Sequence, residues 1–275
     1  MINIIVFKGL SMKKIGLALG GGGAKGICEI AFLEALDELG YKPSIISGTS
    51  IGSIIGAFYA AGFSGKEIRE LLTKTKISEA ISLIDIGLFS RGLVKGNSFV
   101  KLFKKELGVD KIQDLKIPLK IVATDFWRKS QVVFEKGDLA EAVRASISIP
   151  AIFEPVKNSY RVLIDGGAVN PLPFDIIRNE CDVLIAIDVA GKRVPQNKRT
   201  IPNAIDSSLN TYEIMMNKIV EEKCKNTKID VYVKPKLINV GILDFHRHQE
   251  ILSSVTKDLA AFKIELQKKM KWSLF

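Results

Sequence analysis

The sequence predicts an α/β fold, a three-layer α/β/α arrangement around a mostly parallel central sheet. Three observations carry this expectation. Strand-like and helix-like stretches alternate along the 275 residues, two glycine-rich turns near the start each join a strand to an apolar helix, and no internal repeat or low-complexity linker divides the chain. One domain over residues 1–275 follows, with its core over 14–190 and a C-terminal helical part over 191–275. Met12-Lys13-Lys14 would make a natural start, which leaves residues 1–11 as an extension or a ragged tail.

Taken in order, residues 15–19 read as a short apolar strand that Gly20 to Gly23 end. Ile27, Ile30, Ala31, Leu33 and Leu36 then give residues 24–39 helical spacing up to Gly40. A second unit follows at once: strand 44–47, a tight turn over 48–52, and an apolar helix over 51–61 closed by Gly62. Helix 66–74 comes next. Residues 77–94 are apolar but poorly periodic, interrupted by Gly87 and Gly92, and read as an irregular cap that would line a pocket. Then come a basic amphipathic helix over 98–107, paired strands over 119–125 and 132–135, and helix 139–146, halted before Pro150. Strands 161–165 and 183–188 flank a short helix over 174–179. A long helix over 204–224, strand 231–233 and a terminal helix beginning at Glu250 complete the series.

With 47% hydrophobic residues the chain can bury a sizeable core. No apolar run approaches the roughly 20 residues of a membrane-spanning helix, and no secretion signal is read at the start. Cys28, Cys181 and Cys224 are odd in number and scattered, which points to a reducing, cytoplasmic setting and to small buried hydrophobes. His246 and His248 stand a single residue apart with no thiol near them, a spacing that argues against a metal site, so no metal is expected. The net charge of +10 suits nucleic acid and anionic lipid alike. One run favours lipid: the terminal helix carries Leu252, Val255, Leu259, Phe262 and Leu266, then Lys268, Lys269, Lys271, Trp272, Leu274 and Phe275. A basic, aromatic end suits peripheral contact with the inner face of an anionic membrane; docking on the core through its apolar stripe competes with that reading.

Ser50 lies in Gly48-Thr49-Ser50-Ile51-Gly52 between a predicted strand and a predicted helix, the context that makes G-x-S-x-G a nucleophile elbow. The glycine run Gly20 to Gly23, continued by Ala24-Lys25-Gly26, also joins strand to helix, where backbone N–H groups can converge on an anion. A Walker phosphate loop needs Gly-Lys-Ser/Thr, and Lys25 is followed by Gly26. A dinucleotide loop needs an acid at the end of the second strand, and Ser47-Gly48 stands there. An oxyanion hole remains, and it explains why a glycine loop and an exposed serine occupy neighbouring strand ends. Lys25 itself reads as a solvated lysine that would at most assist a charged head group. Asp125, Asp165 and Asp188 all end strands and could serve as base or as turn caps; Asp165 stands apart because Gly166 and Gly167 leave room beside it. A Ser-Asp-His triad with His246 or His248 is formally available. Both histidines lie in a polar stretch that reads as a solvated helix start, which argues against it.

At these residues the sequence resembles the patatin-like phospholipase family. Gly21-Gly22-Gly23-Ala24-Lys25-Gly26 is similar to that family's oxyanion loop, Gly48-Thr49-Ser50-Ile51-Gly52 to its elbow, and Asp165-Gly166-Gly167 to its catalytic aspartate motif. Residues 145–150 and Pro155 resemble a block that packs beside the site, and Asn170-Pro171 the stretch after the aspartate. Lys25 stands where many members carry arginine. The resemblance runs from Ile15 to about Val189 and implies a serine esterase with a Ser50–Asp165 dyad, an oxyanion hole at Gly21, Gly22 and Gly23, and no calcium or other cofactor. It further implies acyl esters of phospholipids or lysophospholipids as substrates, with no nucleic acid partner expected. The chemistry needs an apolar setting that raises the carboxylate's pKa, because an ordinary aspartate is a weak base for serine. The rival from another class is a non-catalytic lipid or nucleotide binding module on the same fold.

Overall fold

A computed structural model describes residues 13–74, 95–194 and 201–271. The expectations for residues 1–11, for 77–94 and for the end of the basic tail at 272–275 lie outside the described residues.

β1 (Ile15–Leu19) runs at the centre of the sheet, parallel to β2 (Ile45–Thr49) on one side and β7 (Val183–Ile187) on the other. β1 and β7 are apolar without alternation because both of their faces are covered. β3 (Leu119–Asp125) extends the parallel set beside β2, and β8 (Val231–Val233) extends it beside β7. The other strands are antiparallel: β4 (Ser130–Phe134) and β6 (Arg161–Asp165) both pair with β3, and β5 (Val156–Asn158) pairs with β6. The path through the sheet is β5-β6-β3-β2-β1-β7-β8, with β4 also on β3.

The register along β3 fixes what meets what. β4 and β6 both pair with Ala123 to Asp125, so they occupy opposite edges of β3. β4 and β2 both pair with Ile121 and Val122, so they too lie on opposite edges. Hence β2 and β6 share one edge and approach each other end to end. Thr49 pairs with Val122 and Asp165 pairs with Ala123, the next residue along.

Helices cover both faces. On one side lie α1 (Glu29–Glu38), α2 (Ile51–Ala61), α4 (Asn97–Leu107), α5 (Leu139–Ser146) and α8 (Thr256–Met270), whose apolar residues join Leu17, Leu19, Ile46, Ile121 and Ile185 in the main core. α3 (Gly65–Lys74) packs outside them against α1. On the other side Ala18, Ile45, Leu184 and Ala186 meet Phe174, Ile177 and Val220, the last from α6 (Ala204–Asn226). The neighbouring residues of β1 and β7 thus divide between the two cores, as period-2 geometry requires. α2 is buried on every side, which is why it carries no charge along its eleven residues.

Beyond shifts of one or two residues at the ends of strands such as β2 and β4, the structure departs from the sequence expectations in four places. The helix expected over 24–39 opens as a 3₁₀ turn over Gly23–Cys28, tightened where it leaves the glycine loop. The short helix near 174–179 is 3₁₀ throughout, over Asp175–Glu180. β5 was not expected, being three residues of polar edge strand. The terminal helix is two helices, α7 (His248–Ser254) and α8, separated at fully buried Val255, and the break lets Ile251 and Phe262 both reach the core. Among the described residues no helix is long and apolar enough to cross a membrane.

Gly166 sits where the two strand ends converge, and a Cβ there would lie 2.3 Å from the Val122 carbonyl oxygen. Gly166→Ala should therefore lower the urea midpoint, with a loss of about 1–3 kcal/mol expected for backbone overpacking. An unchanged midpoint would mean that the strand ends are not in tight contact.

Candidate functional site

Ser50 follows the last residue of β2 and caps α2, with φ 54° and ψ −125°. A non-glycine residue in that region is strained and persists only where its surroundings hold it. Here the Ser50 amide donates to the Ser146 hydroxyl (2.9 Å), which in turn donates to the Val122 carbonyl (2.6 Å). The Ser50 carbonyl accepts from both the amide and the hydroxyl of Ser53. Gly48 and Gly52 permit the close approach: a Cβ on either would lie 2.5 Å from a backbone oxygen, of Gly52 and Leu19 respectively. The stretch around Ser146, read from sequence as packing beside the site, thus clamps the elbow to β3.

Asp165 ends β6 and is buried. Its amide donates to the Ser148 carbonyl and its carbonyl accepts from the Thr124 hydroxyl, fixing the backbone on both sides. Its Oδ1 accepts from the Gly167 amide (2.7 Å) and the Tyr212 hydroxyl (3.1 Å). Burial pushes the carboxyl pKa up to about 6, while the Ser50 hydroxyl, the Gly167 amide and the Tyr212 hydroxyl act in the opposite sense. Ser50 is thus near enough to favour the ionised carboxylate, yet no well-formed hydrogen bond joins the two, and Oδ2 is left without a partner. Long or misaligned contacts of this kind are common in catalytic sites without substrate.

Tyr212 was missed in the sequence. It belongs to the stripe Leu209, Tyr212, Met216 and Val220 on α6, and its position as the one hydroxyl-bearing member of that stripe was the available signal.

The glycine loop is tied at several points. Gly20 donates to buried Glu29 Oε1 (2.6 Å), Gly21 to the Pro171 carbonyl (2.8 Å) and Ala24 to the Ile242 carbonyl (2.7 Å). Burial holds the Glu29 carboxyl well above the usual range. The Gly21 amide is therefore engaged, which corrects its place in the expected oxyanion hole; the amides of Gly22 and Gly23 have no such carbonyl partner among the described residues. Gly21 borders Ser50 all the same, since a Cβ there would stand 3.2 Å from the Ser50 Cβ. Gly23 has φ 58° and lies against the Ile242 carbonyl, and Gly26 packs on Ile51. Asn170-Pro171 completes the frame, the Asn170 carbonyl accepting from the Thr49 hydroxyl.

Lys25 corrects a second expectation. It is 2% exposed rather than solvated, with Nζ 2.9 Å from Glu213 Oε1 on α6. Burial lowers its pKa against the raising effect of Glu213. The other strand-end acids are structural: Asp188 accepts from the Ala190 amide and the Tyr232 hydroxyl and pairs with Lys234, and Asp125 accepts from the Arg128 amide. His246 is exposed, the His248 ring nitrogen meets the Phe245 carbonyl, and neither histidine makes a described contact with Ser50 or Asp165.

A narrow cleft opens at Ser50, walled by apolar side chains including Ile54, Phe99, Ile147, Phe153 and Phe245. Among the described residues that line it, Ser50 contributes the one polar side chain. A family model for the patatin-like phospholipase domain matches residues 17–178, from β1 past the Asp165 motif. The chain belongs to the patatin-like phospholipase family. An uncharacterised NTE family protein of Mycobacterium tuberculosis is 33% identical over 206 residues, 74% of this chain and 56% of the relative. Lysophospholipase NTE1 of Saccharomyces cerevisiae is 30% identical over 269 residues, covering 88% of this chain and 16% of that protein. The chain thus spans just over half of the mycobacterial relative and a small part of the yeast one. VipD of Legionella pneumophila shares the patatin-like fold, with a TM-score of 0.52 and 13% identity over 92% of this chain and 67% of that one.

The Asp165 environment yields two expected outcomes. Tyr212→Phe removes a donor to the carboxylate, so the acid limb of kcat/KM, expected near pH 6 for wild type, should move to higher pH; an unmoved limb would show that Tyr212 does not act on Asp165. Because the folded pKa lies above the unfolded value of 3.8, the native state binds the extra proton, and stability falls as pH rises from about 4 to 6. Asp165→Asn keeps the Oδ1 acceptor without the buried charge, so at pH 7 it should be more stable than wild type by on the order of 1–3 kcal/mol. Thermal melts across pH should show the gap closing toward pH 4, and a destabilised variant at pH 7 would contradict the buried-charge argument.

Proposed function

We propose that this chain is a carboxylic ester hydrolase acting on acyl esters of lipids, phospholipids or lysophospholipids among them, with Ser50 as nucleophile and Asp165 as general base. The observation that carries the reading is the apolar cleft in which, among the described residues, the strained Ser50 is the single polar lining side chain. Family membership supports it, as does the lysophospholipase name of the yeast relative.

Asp165 accepts the Ser50 proton while Ser50 Oγ attacks the ester carbonyl carbon. The carbonyl oxygen, now an oxyanion, is held by the free amides of Gly22 and Gly23, with the α2 N-terminus adding favourable potential. Collapse of the tetrahedral intermediate breaks the carbon–oxygen bond to the alcohol, which leaves with the proton from Asp165. Water then attacks the acyl-enzyme, gives its proton to Asp165 and releases the fatty acid as Ser50 recovers its hydrogen. A carboxylate with a pKa near 6 is a better base than an ordinary aspartate and is still ionised at pH 7.

A p-nitrophenyl acyl ester series tests this. Ser50→Ala and Asp165→Asn should each lose at least about 10³-fold in turnover, whereas His246→Ala should keep wild-type turnover. A fluorophosphonate should label wild type and not Ser50→Ala. An inactive His246→Ala would move the assignment to a triad, and an inactive, unlabelled wild type would favour the binding module.

A further inference from the structure

Two hairpin tips stand side by side at the carboxyl end of β3. The β3–β4 turn carries Phe126, Trp127, Arg128 and Lys129, and the β5–β6 turn carries Tyr160, with Lys157 and Arg161 on the flanking strands. The Phe126 amide donates to the Val162 carbonyl (2.8 Å) and so ties the two hairpins together. Trp127 and Tyr160 are each 73% exposed and Phe126 is 47% exposed. They are ordered by one another and by cations: Phe126 and Trp127 meet edge to face at 4.9 Å, and the guanidinium groups of Arg128 and Arg161 lie 5.0 and 5.3 Å from the Tyr160 ring centre. Across both turns and their flanks, residues 125–131 and 156–161, there are four cations and one carboxylate, Asp125, which is buried between Arg128 and Arg161.

Nothing in the proposed chemistry uses these residues. Large aromatic side chains on a convex tip expose apolar surface to water at a free-energy cost, which is relieved where the ring body enters a lipid headgroup layer with its polar edge still wet. Arginine and lysine beside them match the phosphates of that layer. The place also fits. β3 passes Ala123, paired with Asp165, and ends at Asp125 two residues on, so the turn begins about 7 Å beyond the Asp165 position at strand rise.

We propose that this paired aromatic and basic tip, centred on Trp127 and Tyr160, is the surface through which the chain docks on an anionic lipid bilayer. The proposal deepens the hydrolase reading and rests on it for the choice of lipid over other anionic partners. Rigid hairpin tips need little ordering on contact, which favours adsorption.

The full chain carrying Trp272→Phe, with Trp127 as its remaining tryptophan, should show a blue-shifted emission on vesicles of phosphatidylcholine mixed with phosphatidylglycerol and little change on pure phosphatidylcholine. Sedimentation with the mixed vesicles should show roughly tenfold weaker partitioning for Trp127→Ala/Tyr160→Ala and for Arg128→Glu/Lys129→Glu. Both double variants should turn over a soluble short-chain p-nitrophenyl ester at the wild-type rate, which separates docking from folding and chemistry. Ser50→Ala should bind vesicles as wild type does, so a wild-type chain that binds but cleaves no ester refutes the hydrolase reading alone. Unchanged emission with unchanged partitioning of both double variants would overturn the proposed surface. So would loss of single-stranded DNA binding in those variants with vesicle binding intact.

Discussion

The site depends on two strands arriving head to head along one edge of β3. Parallel β2 comes from below and antiparallel β6 from above, and their last residues take adjacent places in the register, Thr49 beside Val122 and Asp165 beside Ala123. A strand edge offers each backbone group to one neighbour, so neither strand can lengthen without displacing the other. The chain of each must turn out of the sheet at the same point. Ser50 leaves through a strained backbone and Gly166 through a compact 3₁₀ turn, and their proximity follows from hydrogen-bond register rather than from any attraction between the side chains.

Around that junction the protein concentrates groups that cost stability elsewhere. Ser50 stores backbone strain, Asp165 carries a buried carboxyl with one unpartnered oxygen, and Glu29 is buried beneath the glycine loop. What holds them is an unusually complete set of local donors and acceptors: Ser146 across to Val122, Thr49 to Asn170, Gly21 to Pro171, Ala24 to Ile242. These bonds join segments far apart in sequence, so the site forms only when both faces of the sheet are in place.

The sequence made the frame readable because its signals were local. Glycines at fixed offsets on either side of Ser50, an apolar run before them and an apolar helix after them suffice to place the elbow, and Gly166-Gly167 marks Asp165 in the same way. The losses came where a tertiary partner decides. Lys25 read as solvated because nothing near it in sequence signals Glu213 on a helix at the far end of the chain. Gly21 read as an oxyanion donor because its bond to Pro171 depends on how the segment after Asp165 folds back. Tyr212 sat in a helix that is polar on most of its surface, and a tyrosine there is indistinguishable from packing until the carboxylate above it is located.

α6 has a consequence beyond its length. Among its described residues only Met216 and Val220 are buried outright, with Leu209, Tyr212 and Cys224 packed half-buried beside the cores. Adjacent positions on it deliver Tyr212 to Asp165 and Glu213 to Lys25. Lifting the helix would strand a buried ammonium group and strip a proton donor from the carboxylate in one movement, costs that neither loop could relieve alone. The seating of this helix and the electrostatic surroundings of Asp165 and Lys25 are therefore set together, through two neighbouring side chains.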